Sequence, residues 1–312
     1  MWYGRRMLRP EEIIDNLPVR QRHGFRALHA KGRLYKATFR PSREAAEMTS
    51  AAHMHEQAVE ATVRLSNGSS DPDSRDNRLD LRGLAVTFWL PDGRRTDIVC
   101  QTAPYFPTRS PDVFLEFLRL SVPGPSQPVR LLAFGAAHPR AVRALLALRP
   151  ATTPPVSYAT CRYHGIHAFC WIGRNGREHY VRYSWRPDAG VATLWPWEAW
   201  RKGPDYLQED MADRLRRGRT VVFTLELQVV PRDKAHDPMA VPQRGPTVSA
   251  GVLEITGLTD GDGLCGDTLV FDPMRVIDGI EPSYDPILHF RRKVYEVSAS
   301  RRGASNRCPG QP

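Results

Sequence analysis

The chain has 312 residues, 41% hydrophobic and 9% aromatic, enough to bury the core of a globular protein within one domain. No apolar run is long enough to cross a bilayer as a helix, and the charged start of the chain lacks the apolar stretch and cleavage site of a secretion signal. An integral membrane segment is therefore not expected, and a cytoplasmic location is. The net charge of +10 comes mostly from dispersed arginines, not interleaved with aromatics as in nucleic-acid readers, so no nucleic-acid partner is expected, whereas an anionic substrate or surface stays open.

Up to about residue 19 the chain reads as an arm with one short helix begun at Pro10-Glu11-Glu12. Strand patterns follow at residues 34–39, 59–66, 84–90 and 95–101, with a strongly marked turn at Asn67-Gly68-Ser69-Ser70-Asp71-Pro72. Residues 111–120 have helical spacing, with Phe114, Phe117 and Leu118 on one side. The proline-rich stretch 122–128 ends that helix, and residues 129–148 read as two helices parted near Pro139. Further strands are expected at 156–162, 168–172, 179–185 and 221–230, with a helix at 205–216 before the last. Residues 231–246 read as a surface connection and 303–312 as a disordered tail. Strands joined mostly as sequential hairpins, with helices added, predict an α+β class: an antiparallel β-barrel in one domain, with its core at about 19–302.

The five cysteines (100, 161, 170, 265 and 308) show neither CxxC nor zinc spacing, and an odd number argues against a disulfide framework. Asp260-Gly261-Asp262-Gly263 looks like a fragment of a calcium loop but lacks the later ligands, and reads as a turn. No glycine fingerprint for a dinucleotide follows a strand.

The most informative pair is Arg291 and Tyr295, four residues apart on the last predicted helix and so on one face. Tyrosine ligates iron well as the phenolate, and a free tyrosine has a pKa near ~10. A guanidinium one turn earlier can donate hydrogen bonds that stabilise the anion. With Phe271-Asp272-Pro273, Gly279-Ile280-Glu281-Pro282-Ser283 and Asp285-Pro286 before it, this segment resembles the proximal haem segment of the haem catalases.

The other side of such a site is present in family order. Arg26-Ala27-Leu28-His29-Ala30-Lys31-Gly32 resembles the distal-histidine segment. Val63-Arg64-Leu65-Ser66 resembles the strand whose arginine faces a propionate and whose serine supports the histidine. Asp80-Leu81-Arg82-Gly83-Leu84-Ala85-Val86 continues the pattern, and Tyr163-His164-Gly165-Ile166-His167-Ala168-Phe169 fits later strands of the barrel. The resemblance covers about residues 23–302. It implies His29 as catalytic acid and base, Ser66 as its support, and Tyr295 as the iron ligand. Arg26, Arg64, Phe114, Phe117, Arg291 and Arg302 are implied haem-binding residues, and haem b is the implied cofactor. His167 falls where the family places a buried residue near the haem. The sequence departs at Gln101, where catalases carry an asparagine whose amide hydrogen-bonds peroxide. Thr102 is the substitute if the register slips by one, and Pro107 stands where a pocket phenylalanine is usual.

The outline lacks the family's long N-terminal arm and terminal helical region, and so resembles the catalase-related peroxidases. That implies a less enclosed pocket, a peroxide substrate with an external electron donor, weak catalase activity and a homodimer. A true catalase and a haem enzyme that rearranges fatty-acid hydroperoxides are the alternatives. A haem carrier or sensor without catalysis is a third.

Overall fold

The computed structural model describes residues 8–120, 126–240, 247–259 and 269–303. Its centre is a barrel of eight antiparallel strands: β1 (Gly32–Pro41), β2 (Val59–Asn67), β3 (Arg82–Trp89), β4 (Arg95–Gln101), β5 (Tyr163–Ile172), β6 (Glu178–Pro187), β7 (Val221–Val229) and β8 (Thr247–Leu258). Each strand pairs with its neighbours in sequence, β8 returns to β1, and a Gln101–His164 pairing joins β4 to β5. A short β9 (Ile280–Pro282) adds to β5. The expected antiparallel barrel with helical additions is the fold observed.

Strand period explains the layers. On β2, Val59, Ala61, Val63 and Leu65 point into the barrel core with Phe39, Phe88, Trp171, Trp185 and Phe223. The alternate residues Arg64 and Ser66 face outward, yet both are buried, because helices and loops cover that face. The helices α1 (Pro10–Asp15) and α2 (Arg43–Met48) flank β1, and α3 (Pro111–Leu120), α4 (Gln127–Ala137) and α5 (Pro139–Ala147) lie between β4 and β5. Next come α6 (Pro196–Arg201), α7 (Tyr206–Arg216) and, last, α8 (Pro286–Arg301). Ile13, Ile14, Leu17, Ala27, Leu115 and Leu118 form a second apolar cluster, against which Phe290, Val294 and Val297 of α8 pack.

Two expectations are corrected. Residues 156–162 are not a strand: Ser157 accepts from the Ala159 amide and starts a 3-10 turn at Tyr158–Thr160, so β5 begins at Tyr163 and runs through to Ile172. And β8, the longest strand, falls wholly in the stretch beyond residue 246 for which the sequence predicted no element. Gly251 bulges it opposite Leu225 and Glu226, with φ at +149° and the Arg40 carbonyl oxygen 2.5 Å from where a Cβ would sit. The Asp260-Gly261-Asp262-Gly263 turn and, Gly303 apart, the 303–312 tail lie outside the described residues. Among the described residues no helix is long and apolar enough to cross a membrane.

Candidate active site

Three strands lay out one wall of a cavity of about 470 Å³. In the barrel register Gly32 faces Ser66, Ser66 faces Gly83, Gly83 faces Gln101 and Gln101 faces His164, giving one cross-strand row. The next row is Arg64, Ala85 and Val99. Ser66, Gly83, Gln101, Arg64, Ala85 and Val99 all line the cavity. Gln101 rather than Thr102 faces it: the Thr102 hydroxyl accepts from the Arg82 amide and donates to the Ala151 carbonyl. Pro107, Phe106, Phe114 and Phe117 close another side, with Phe106 and Phe114 rings 4.9 Å apart.

His29 is set by its backbone as much as by its side chain. It is the one non-glycine residue with positive φ among the described residues, at +55°, a conformation that costs about 1–3 kcal/mol and concentrates at functional positions. Its amide donates to the Gly68 carbonyl, and Ala30 donates to Ser69, so the turn after β2 holds the strained residue. The ring Nδ1 lies 3.0 Å from Ser66 Oγ. A Cβ on Gly83 would stand 2.7 Å from Nδ1 and 2.8 Å from Ser66 Oγ, so glycine there is what lets the imidazole lie against β3. Burial first, then the positive fields of Arg64, Arg291, Arg26 and Arg82, lower the His29 pKa to about 3. The ring is therefore neutral near pH 7 and available as a base.

The facing wall is α8. Asp285 caps it, Oδ1 accepting from the Ile287 and Leu288 amides, while Oδ2 lies 2.6 Å from His167 Nδ1. Arg291 Nη1 lies 2.9 Å from His167 Nε2, and Arg291 Nη2 donates to Tyr295 Oη. Because guanidinium can only donate, Nε2 must accept, which leaves the proton on Nδ1, directed at Asp285. Burial, outweighing the Asp285 hydrogen bond, lowers the His167 pKa to about 4 and so keeps this tautomer neutral. Asp285, His167, Arg291 and Tyr295 thus form one chain ending on a phenol in the cavity. Sequence reading placed Arg291 and Tyr295 but assigned no role to His167 or Asp285, which lie 118 residues apart and meet only through the barrel.

All ten site residues expected from the sequence (Arg26, His29, Arg64, Ser66, Gln101, Phe114, Phe117, Arg291, Tyr295 and Arg302) line this cavity. Of its charged side chains five are arginines, namely Arg26, Arg64, Arg149, Arg291 and Arg302, against one carboxyl group, that of Asp80. Arg26 donates to the Leu269 carbonyl at 2.7 Å, and Arg64 donates to the His29 carbonyl at 2.9 Å. An apolar slot with a cationic lining, a base on one wall and a guanidinium-bonded phenol on the other matches a flat apolar macrocycle that bears two carboxylates and needs one axial oxygen ligand. Haem has that chemistry. Among the described residues no group of three or more His, Cys, Asp or Glu could hold a metal by itself.

The family model for catalases matches residues 7–308. The chain is 42% identical to a catalase-related peroxidase of Mycolicibacterium paratuberculosis over 98% of each chain. It is 28% identical to a catalase-related peroxidase of Synechococcus elongatus over 89% of this chain and 84% of that one. A solved fungal catalase superposes with a TM-score of 0.80 at 21% identity, covering 91% of this chain and 61% of the catalase.

Proposed function

The chain belongs to the catalase family, and from that premise we propose that it is a haem b peroxidase reducing organic hydroperoxides and hydrogen peroxide with electrons from an external donor. It is an oxidoreductase acting on peroxide. What carries the reading is one cavity lined by both His29, held at Nδ1 by Ser66, and Tyr295, held by Arg291.

When bound, haem supplies the iron that polarises the peroxide and takes up the two oxidising equivalents of its O–O bond. Tyr295 Oη would hold the iron, with Arg291 Nη2 donating a hydrogen bond to that oxygen. Arg26, Arg64 and Arg302, which line the cavity, would hold the propionates, and Phe114 and Phe117 would supply apolar contact to the macrocycle. Neutral His29 takes the proton from the near peroxide oxygen and returns it to the far oxygen, which leaves as alcohol or water. Ser66 keeps the ring oriented with Nδ1 occupied, and the Gln101 amide donates to the peroxide. Two electrons and two protons then balance ROOH to ROH and water. The reading takes the protein as a single-domain cytoplasmic homodimer.

The test is the visible spectrum of hemin-loaded protein beside Tyr295→Phe, with peroxide turnover measured with and without a reductant. A Soret band that moves on losing the phenol, and turnover that needs the reductant, are the expected results. Oxygen evolution from hydrogen peroxide alone at a comparable rate identifies a catalase instead.

A further inference from the structure

Helix α4 turns an apolar stripe toward solvent. Val129, Leu132, Ala133 and Ala136, at i, i+3, i+4 and i+7, are all exposed, Val129 to 70% and Leu132 to 77%. The opposite face is anchored, with Phe134 buried against Leu120 and Ala141. This is the reverse of the usual surface helix, whose apolar stripe faces the core. Leu131 and, on α5, Leu146 are exposed as well, to 50% and 58%.

Along this stretch of the chain the charged residues have one sign. Residues 117–177 hold eight arginines and no aspartate or glutamate. Arg140, Arg143 and Arg149 are exposed along α5 and its end. The carboxylate that reaches this pair from α3, Glu116, lies 3.0 Å from His138 Nε2 at the α4–α5 junction. Exposed leucine and valine beside arginines, in helices lying flat on the surface, is the pattern of a segment that inserts between the headgroups of an anionic bilayer.

The patch also borders the active-site cavity. Leu145 and Leu148 of the α5 region line the cavity, while Leu146 between them faces out. Exposed Arg149 lines it too, so the cavity reaches the surface at the end of α5. We propose that the α4–α5 face docks the protein on anionic lipid bilayers, bringing the cavity mouth to hydroperoxides of membrane lipids. The substrate half rests on the peroxidase reading above; the docking half does not.

The experiment is flotation of the full chain with phosphatidylcholine vesicles with and without phosphatidylglycerol, beside Leu132→Glu and the Arg140→Glu/Arg143→Glu pair. Expected is binding that requires phosphatidylglycerol, weakened roughly tenfold or more by either variant, since each removes buried apolar area or attraction to the anionic headgroups. Both variants alter exposed positions outside the cavity and keep turnover of a water-soluble hydroperoxide, which shows that they fold. Wild-type protein that stays with the unbound fraction overturns the docking whatever its peroxidase activity. Equal binding to pure phosphatidylcholine, or unchanged binding by both variants, overturns it as well. If light scattering shows a wild-type dimer that Leu132→Glu dissociates, and no vesicle binding, the face belongs to a second copy of this chain and the proposal fails. Should docking stand and lipid hydroperoxide not be turned over, the peroxidase reading is what fails.

Discussion

His167 Nε2 accepts a hydrogen bond from Arg291 at 2.9 Å, and that contact fixes which way the guanidinium can point. Arg291 holds Tyr295 with Nη2 because Nη1 is already engaged, and His167 is in turn held by Asp285, the cap of the same helix. The fork is thereby locked from the barrel side, so little side-chain entropy is lost in holding the Tyr295 phenol.

Arg291→Ala removes the donor to the phenol and leaves His167 Nε2 without its partner. Hemin titration is expected to show affinity weakened about 10–100-fold, the usual range for a lost support of a metal ligand. His167→Ala leaves the Arg291–Tyr295 bond possible but unfixed, so a smaller loss in the same direction is expected. An Arg291→Ala protein that binds hemin like the wild type, with the same spectrum, contradicts the proximal assignment.

Why the sequence carried so much of this lies in how local each signal is. Arg291 and Tyr295 share a helix face, so spacing pairs them, and Arg64 and Ser66 share a strand face within one motif of the resemblance. His167 and Asp285 are joined by packing across 118 residues, which no periodicity records. The barrel was legible wherever alternation was unbroken, as in β2 and β3. It failed at β8, where Gly251 and Gly257 interrupt the pattern, and at residues 156–162, where β-branched content suggested a strand but the Ser157 cap bends the chain. Gly83 was visible only as part of a motif; its closeness to His29 is a tertiary fact.

His29→Ala is expected to cut peroxide turnover by about 10²–10⁴-fold while hemin stays bound, because general acid–base transfer is lost and the proximal wall is untouched. Ser66→Ala, which frees the ring to turn, is expected to cost less, on the order of tenfold. Stopped-flow mixing of hemin-loaded protein with peroxide measures both. A His29→Ala rate equal to wild type would make the protein a carrier rather than an enzyme.

Stability should fall on mild acidification. Burial lowers the pKa of His29 and His53 to about 3 and of His164 and His167 to about 4, each from the ordinary histidine value of 6.5. As pH drops below about 6.5 the unfolded chain binds protons that the folded chain refuses, so unfolding gains ground until the folded values are reached. Asp97, raised by burial to about 6 although Arg275 lies 2.5 Å away, and Asp80, also raised by burial, act in the opposite sense above their unfolded values, two carboxyl groups against these four histidines and His179, which burial also lowers. Tm is therefore expected to be lower at pH 5 than at pH 7.5. His53→Leu, at a ring packed beside Phe88 with centroids 5.2 Å apart, should make that fall shallower whatever it does to Tm itself. A wild-type Tm that does not change over this range refutes the buried neutral histidines.

Gly83→Ala isolates the distal wall from the proximal one. The added methyl would begin 2.7 Å from His29 Nδ1 and 2.8 Å from Ser66 Oγ, closer than real Cβ contacts allow, so one of the two must move. Ser66 sits on β2, whose backbone is paired on both sides, whereas His29 is held at a strained φ in a loop, and the imidazole is the partner that yields. Overpacking of this kind costs about 1–3 kcal/mol of stability. Because a displacement of the order of 1 Å at a catalytic group can cost about 10²-fold, peroxide turnover is expected to fall far more than that stability loss implies. Hemin affinity and the Soret band should stay near wild type, since Tyr295, Arg291 and His167 lie on the other wall. The same methyl at Gly93, which has open space around it but φ at +81°, serves as a control for backbone strain, lowering Tm without changing turnover by folded protein. If Gly83→Ala loses hemin as readily as Arg291→Ala does, the two walls are not separable and the division of labour between them is wrong.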